Sequence, residues 1–178
     1  MKNNTKPIIL RNVMGILVTV LLVLLDQLTK SLAVEHLKDK DSIVLINGVL
    51  ELQYTENRGA AFGIFQNKQI GLIIISVIVL AVIIYFFETT PCNNKRLRPV
   101  LAVYVLLIAG AIGNLIDRIR LNYVIDFIYF KLINFPIFNL ADSCVTIGCV
   151  VLIVLLLFYY KDDEKITGLP VRKKGDDE

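Results

Sequence analysis

The chain has little of what most familiar active sites require. It carries one histidine, His36, and three cysteines, Cys92, Cys144 and Cys149, among 178 residues. There is no HExxH pattern and no cluster of Cys and His at zinc-ligand spacing, and three cysteines make no disulfide framework. A Ser-His-Asp triad would rest on His36 alone, with no serine elbow, and a solvated loop histidine is the plainer reading. Cys144 and Cys149 lie five apart and project from different faces of a helix, as small cysteines in apolar surroundings do. Charge is also scarce, at 20% of residues with a net of +3. That is too weak to support a nucleic-acid partner.

Apolar residues are abundant instead. They make up 56% of the chain, and the mean hydropathy is +0.66. Ordinary soluble domains average about 45–50% apolar and about 25% charged residues. The size excludes a large multidomain enzyme, and the apolar excess excludes intrinsic disorder for the body of the chain. The composition is that of a small integral membrane protein.

The sparse charges mark out four spans. Arg11 and Lys30 bracket a run broken only by Asp26, and three uncharged runs lie between Lys68 and Glu88, Arg98 and Asp117, and Asp142 and Lys161. Each separation is 19 or 20 residues. As helices these runs cover roughly 28–30 Å, close to the ~30 Å hydrocarbon core of a bilayer. Backbone in lipid must satisfy its own hydrogen bonds, so helices are expected over about 11–30, 69–87, 99–117 and 142–160. Lys2, Lys6 and Arg11 before an apolar run also resemble a cleaved signal peptide, but Ser31-Leu32-Ala33 is a poor cleavage site and the run is long.

With four spans both termini lie on one side. That side carries eleven Lys and Arg residues (Lys2, Lys6, Arg11, Lys95, Arg96, Arg98, Lys161, Lys165, Arg172, Lys173 and Lys174) against seven on the other. Both termini are therefore expected in the cytoplasm. Residues 1–160 form one membrane domain, and 161–178, dense in charge, form a cytoplasmic tail without assigned chemistry.

The outer loops carry structure of their own. Asn47-Gly48 between Ile43–Ile46 and Val49–Tyr54 is a hairpin signal, with Leu50, Leu52 and Tyr54 on one face and Glu51 and Gln53 on the other. The stretch from Leu121 to Asn139 holds Tyr123, Phe127, Tyr129, Phe130, Phe135 and Phe138. Such density suits the membrane interface, as a short helix broken before Pro136. It serves either as an anchor or as a surface that receives a lipid or an apolar peptide. The expected fold class is an all-α membrane protein: a four-transmembrane-helix bundle with a small extracytoplasmic β-sheet and a short interfacial helix.

The polar residues converge at the outer ends of the spans: Asp26 and Lys30 on the first, Asn57 before the second, Asn114, Asp117 and Arg118 on the third, Asn139 and Asp142 on the fourth, and Asp126 in the aromatic segment. Ionisable groups at membrane depth are costly and are functional candidates by default. Asp26 and Lys30 are i, i+4 neighbours and can pair, and Asp117 faces the same way as Asn114. For Asp26 and Asp117, structural pairing with Lys30 or Arg118 is the plainer role. Asp126 and Asp142 differ, because neither has a cation nearby in sequence. Burial pushes such carboxyls toward the protonated form, and two that share a site titrate jointly. One ionised and one protonated carboxyl can activate water and protonate a carbonyl, as in aspartic proteases. A Ser–Lys pair of Ser31 or Ser143 with Lys30 is the second enzymatic reading. A small transporter is a third reading, disfavoured because the second, third and fourth spans carry no charge between their ends. Gly110 and Gly113, with Ala109 and Ala111, form a small-residue face for close helix packing.

At these residues the chain resembles the bacterial lipoprotein signal peptidases, signal peptidase II. The motifs are Asp26-Gln27-x-Thr29-Lys30, Asn57-x-Gly59-Ala60-Ala61-Phe62, Gly110-x-x-Gly113-Asn114-x-x-Asp117-Arg118, Val124-x-Asp126-Phe127 and Phe138-Asn139-x-Ala141-Asp142. Each is weak alone; five in order on one membrane side are specific. The resemblance implies an aspartyl endopeptidase of the bacterial inner membrane that cuts prolipoproteins before a diacylglyceryl-modified cysteine. It implies Asp126 and Asp142 as catalytic residues, with Asp26, Lys30, Asn57, Gly110, Asn114, Asp117, Arg118 and Asn139 supporting the site. It implies no cofactor, membrane lipid as the surroundings, and a single chain acting alone. Ala109-Gly110 stands where the family often has Gly-Gly, a small-for-small change.

Overall fold

The computed structural model describes residues 5–59 and 68–160. The motif residues Ala60, Ala61 and Phe62 and the charged segment 161–178 lie outside them. Among the described residues, four helices are long and apolar enough to cross a membrane. They are α1 (Thr5–Leu37), α2 (Gln69–Thr89), α3 (Arg98–Leu121) and α4 (Leu140–Val154), the last prolonged by a π-helical stretch over Leu155–Tyr159. The second to fourth match the uncharged runs within a few residues. The first is longer than its run. Its 33 residues reach about 50 Å, because neither Lys30 nor Glu35 stops a helix once the polar groups find partners.

α3 is the central helix. From Val100 to Gly113 most of its side chains are buried, while α2 buries only Leu72 and Phe87. Phe87, Leu97, Val100, Val103, Tyr104, Leu107 and Leu155 form the main apolar core, between α2, α3 and the end of α4. Much of the remaining surface is apolar and exposed, including Leu17, Leu24, Ile78 and Ile153. That arrangement suits a lipid surrounding, where exposed Leu and Ile cost nothing. Gly110 lets α3 and α4 approach closely. A Cβ there would stand 2.5 Å from the Ala141 carbonyl oxygen and 2.6 Å from Val145 Cγ2.

The outer loops fold into one antiparallel sheet, ordered β1 (Ile43–Ile46), β2 (Leu50–Asn57) and β3 (Val124–Phe130). β1 and β2 are joined through Asn47-Gly48, with Gly48 at φ 71° and Val49 N–H donating to Ile46 O at 2.9 Å. The hairpin is thus where Asn-Gly places it. β3 departs from the short helix that its aromatic composition predicts. It is a strand followed by one 3₁₀ turn, Lys131–Ile133. Val124-Ile125 and Phe127-Ile128-Tyr129-Phe130 are β-branched or aromatic, and β2 supplies an edge for them to pair with, from Leu50↔Phe130 to Asn57↔Val124. The chain then turns back, and Phe138 O accepts from the N–H groups of Phe127 and Ile128.

Burial on the sheet also departs from simple alternation. Glu51 is buried, because Lys131 Nζ donates to it at 2.7 Å and Ser42 Oγ at 3.3 Å. The last turns of α1 lie under the sheet, where Ala33 and Leu37 pack on Ile125 and Phe127. The length of α1 beyond its span is what carries the sheet.

Candidate active site

Each polar residue singled out in the sequence comes to the same end of the bundle. α1 brings Asp26 and Lys30, α3 brings Asn114, Asp117 and Arg118, β2 ends on Asn57, β3 carries Asp126, and the start of α4 brings Asn139 and Asp142. Asp26, Lys30, Asp117, Asp126 and Asn139 are each at most 2% exposed. So many buried polar groups survive only if each has a partner.

Lys30 pairs with both Asp26 (2.8 Å) and Asp117 (2.9 Å). Gln27, in the first motif but not among the expected site residues, donates to Asp117 Oδ1 at 2.9 Å and to Asp26 Oδ2 at 3.3 Å. With its three N–H donors spent on Asp26, Asp117 and Asn114, Lys30 is no base for a serine. Ser31 is exposed and Ser143 donates to the Asn139 carbonyl oxygen, so neither serine forms a Ser–Lys pair.

Asp126 and Asp142 are joined through asparagines. Asn139 caps α4: its side chain accepts from Asp142 N–H, while the Asp142 carboxylate accepts from Asn139 N–H. With its oxygen committed to that cap, Asn139 turns its Nδ2 to Asp126 Oδ1, 2.7 Å away. Asn57 Oδ1 is likewise held by Gly59 N–H, leaving Nδ2 to donate to Asp126 Oδ2 at 2.9 Å. Asn114 Nδ2 donates to Asp142 Oδ1 at 2.7 Å. Both carboxyls thus face amide donors. Burial, and next the charge of Asp142, push the Asp126 carboxyl up to about 7, against the Asn57 and Asn139 hydrogen bonds and the Lys30 charge.

Arg118 points toward the same place from α3. Its guanidinium donates to the carbonyl oxygens of Gly59 (3.2 Å) and Asn114 (3.5 Å), while its buried Nε has no hydrogen-bond partner among the described residues. Gly110 contributes no polar group and serves the site through packing. Gly113 stands where a Cβ would fall 2.6 Å from Asp26 Oδ2, so glycine there leaves room for the carboxylate.

A cavity of about 630 Å³ opens beside these groups. Asn57, Asn114, Arg118 and Asp142 form its polar side, and Phe130, Phe135, Phe138 and Ile147 are among its apolar walls. Ser143, weighed above only as a partner of Lys30, and Thr146, which carries no signal in the sequence, also line it.

Residues 18–158 match the family model described as signal peptidase (SPase) II. The chain belongs to the signal peptidase II family. Similar members include the lipoprotein signal peptidase of Clostridium tetani, 43% identical over 144 residues that cover 79% of this chain and 90% of the relative. That of Caldanaerobacter subterraneus subsp. tengcongensis is 46% identical over 140 residues, covering 78% and 92%. Among solved structures, a bacterial membrane enzyme determined by the in meso method at 2.3 Å superposes with a TM-score of 0.76 at 36% identity, covering 85% of this chain and 92% of that one. A second, at 1.9 Å, gives 0.73 at 38% identity, covering 83% and 94%. A signal peptidase II is a peptidase, and this one is a multi-pass membrane protein with four apolar helices.

Proposed function

We propose that this peptidase is an aspartyl endopeptidase that removes signal peptides from prolipoproteins, cutting before the diacylglyceryl-modified cysteine, with Asp126 and Asp142 as its catalytic residues. The observation that carries the reading is the pair itself. Two carboxyls, linked through Asn139 and each facing amide donors, meet beside a largely apolar cavity that Asp142 lines and behind which Asp126 is buried. Such a pair holds one proton between them near neutral pH. The ionised carboxylate takes a proton from water as its oxygen attacks the scissile carbonyl, and the protonated one donates to the carbonyl oxygen. The tetrahedral diol then collapses: one hydroxyl returns its proton to the ionised carboxylate, the C–N bond breaks, and the leaving amine takes a proton from the protonated carboxyl. The Arg118 Nε is a donor left over for a peptide carbonyl. The apolar walls suit the signal helix and the glyceride chains.

The excess of Lys and Arg at the opposite end supports cytoplasmic termini and a site near the outer face of the bacterial inner membrane. The reading takes the enzyme as monomeric, as the family resemblance implies.

The test is cleavage of a synthetic lipid-modified prolipoprotein by Asp126→Asn and Asp142→Asn, with Ser31→Ala and Ser143→Ala beside them. Both aspartate variants are expected to lose at least about 10³-fold in kcat while remaining folded, and both serine variants to stay near wild type. Near-normal cleavage by either aspartate variant would end the dyad reading.

A further inference from the structure

The family resemblance groups Asp26, Lys30 and Asp117 with the site's supporting residues, and in the structure they form a buried ion triplet. Where the carboxylates reach beyond the lysine shows more. The second oxygen of Asp26 accepts from the backbone N–H of Ala141 at 2.9 Å. Asp117 Oδ2 accepts from the backbone N–H of Ile125 at 3.2 Å. Ala141 and Ile125 are the residues immediately before Asp142 and Asp126. Each carboxylate partner of Lys30 therefore grips the backbone at the residue before one member of the dyad, one on α4 and the other on β3.

The third donor of the ammonium goes to Asn114 Oδ1, 3.1 Å away. An ammonium offers only donors, so it accepts the amide oxygen as a neighbour and rejects the NH₂ group. With Asn139 Nδ2 also directed at that oxygen, at 3.1 Å, the Asn114 NH₂ is turned to Asp142. One nitrogen atom thus reaches both catalytic carboxyls by three routes.

We infer that Lys30 is the positioning residue of the dyad: by holding Asp26, Asp117 and Asn114 on one ammonium, it sets where Asp142 and Asp126 stand relative to each other and which groups they face. The inference rests on the dyad reading above. Lys30 does not touch substrate in this role. It acts through α1, which lies outside both dyad-bearing elements and ties α4 to β3. Asp126 is faced by the charges of Asp142 on α4, Arg118 on α3 and Lys30 on α1, with Asp117 one peptide behind. Lys30 is therefore also part of the field that keeps Asp126 ionisable.

A purely structural salt bridge makes a different prediction from a positioning one. Lys30→Met strands two buried carboxylates and risks unfolding. Lys30→Met/Asp117→Asn keeps the net charge of the triplet, and the asparagine oxygen still accepts from Ile125 N–H. Thermal unfolding in detergent establishes that this variant is folded. The expected result is a kcat about 100-fold below that of Asp117→Asn alone with KM changed less than about threefold, as for a misplaced catalytic group. Relative to Asp117→Asn alone, the acid limb of the kcat/KM profile moves to higher pH, since the positive charge that favours ionised Asp126 is gone. Lys30→Arg, which keeps a cation, holds the acid limb at its wild-type pH even where kcat falls, and serves as the second test should the double variant not fold. Wild-type kcat in a folded double variant overturns the inference, as does an acid limb that stays put in it or moves in Lys30→Arg. If Asp126→Asn and Asp142→Asn are inactive while the Lys30 variants are normal, the dyad stands and only the role of Lys30 falls. Normal cleavage by either aspartate variant removes both.

Discussion

The two ends of the helix bundle are held together in different ways. Away from the dyad, Phe87, Leu97, Val100, Val103 and Leu155 pack as apolar groups, and polar links such as Arg11 to Glu88 at 2.6 Å, Thr90 Oγ1 to the Phe86 carbonyl oxygen at 2.7 Å and Arg96 to the Tyr159 carbonyl oxygen at 2.8 Å lie around them. At the dyad end, Asp26, Lys30, Asp117, Asp126 and Asn139 are buried and joined by directed hydrogen bonds. Apolar packing has many near-equivalent solutions, because only volume and shape must match. A network in which each donor has one acceptor has few, since a turned amide leaves two groups unsatisfied in a medium where that is costly. The tolerant end carries the fold, and the intolerant end carries the chemistry.

The sharpest way to break this comparison is a same-size exchange at each end. Asn139→Leu removes the cap of α4 and the amide that bridges Asp126 to Asp142. Cleavage is expected to fall at least about 100-fold, with about 1–2 kcal/mol lost from thermal stability. Leu107→Met in the apolar core should cost under about 1.5 kcal/mol and leave kcat within about twofold. Comparable losses from the two would show that the ends do not differ.

A pH scan of stability sharpens it further. In the folded protein Asp126 is held up to about 7 from an ordinary 3.8. Between those values the native state binds a proton that the unfolded chain has released. The stability contributed by protonated Asp126 is therefore full below about pH 4 and is lost as the pH rises through about 7. Asp126→Asn lacks this term. Thermal unfolding in detergent from pH 4 to 8 should show wild type declining relative to Asp126→Asn across that window, while Arg11→Gln runs parallel to wild type.

The smallest effect belongs to the opposite margin. Glu88→Gln weakens an ion pair whose acidic partner is half exposed. A change under about 1 kcal/mol in stability and an unaltered kcat are expected. A large loss of cleavage would mean that this end communicates with the dyad.

The sequence made the bundle legible because charge is excluded from lipid, so the uncharged runs and the helices coincide. The Asn47-Gly48 hairpin was legible because its turn is a local property. β3 was not. Val124–Phe130 is apolar and aromatic in a way that serves a strand or an interfacial helix, and the choice is made by β2, far away in the chain. In the site, the Asp26–Lys30 pairing follows from spacing on one helix. That Lys30 rather than Arg118 takes Asp117 depends on how α1 and α3 are rotated. The contacts of Asp26 with Ala141 and of Asp117 with Ile125 left no trace, since a backbone N–H is the same at every residue. Gln27 stands in its motif, but a neutral side chain beside two charges looks incidental until its acceptors on Asp117, Asp26 and the Gly113 backbone are seen.

The cavity has a consequence for how such an enzyme meets its substrate. Its apolar walls include Ile133 and Ile147, both largely exposed on the flank of the molecule. A substrate that arrives along this flank travels within the membrane sheet and never through bulk water. Its effective abundance is then a number per lipid molecule, not per litre. Adding inert lipid or detergent at constant enzyme and substrate dilutes that surface abundance and slows turnover as surely as removing substrate does.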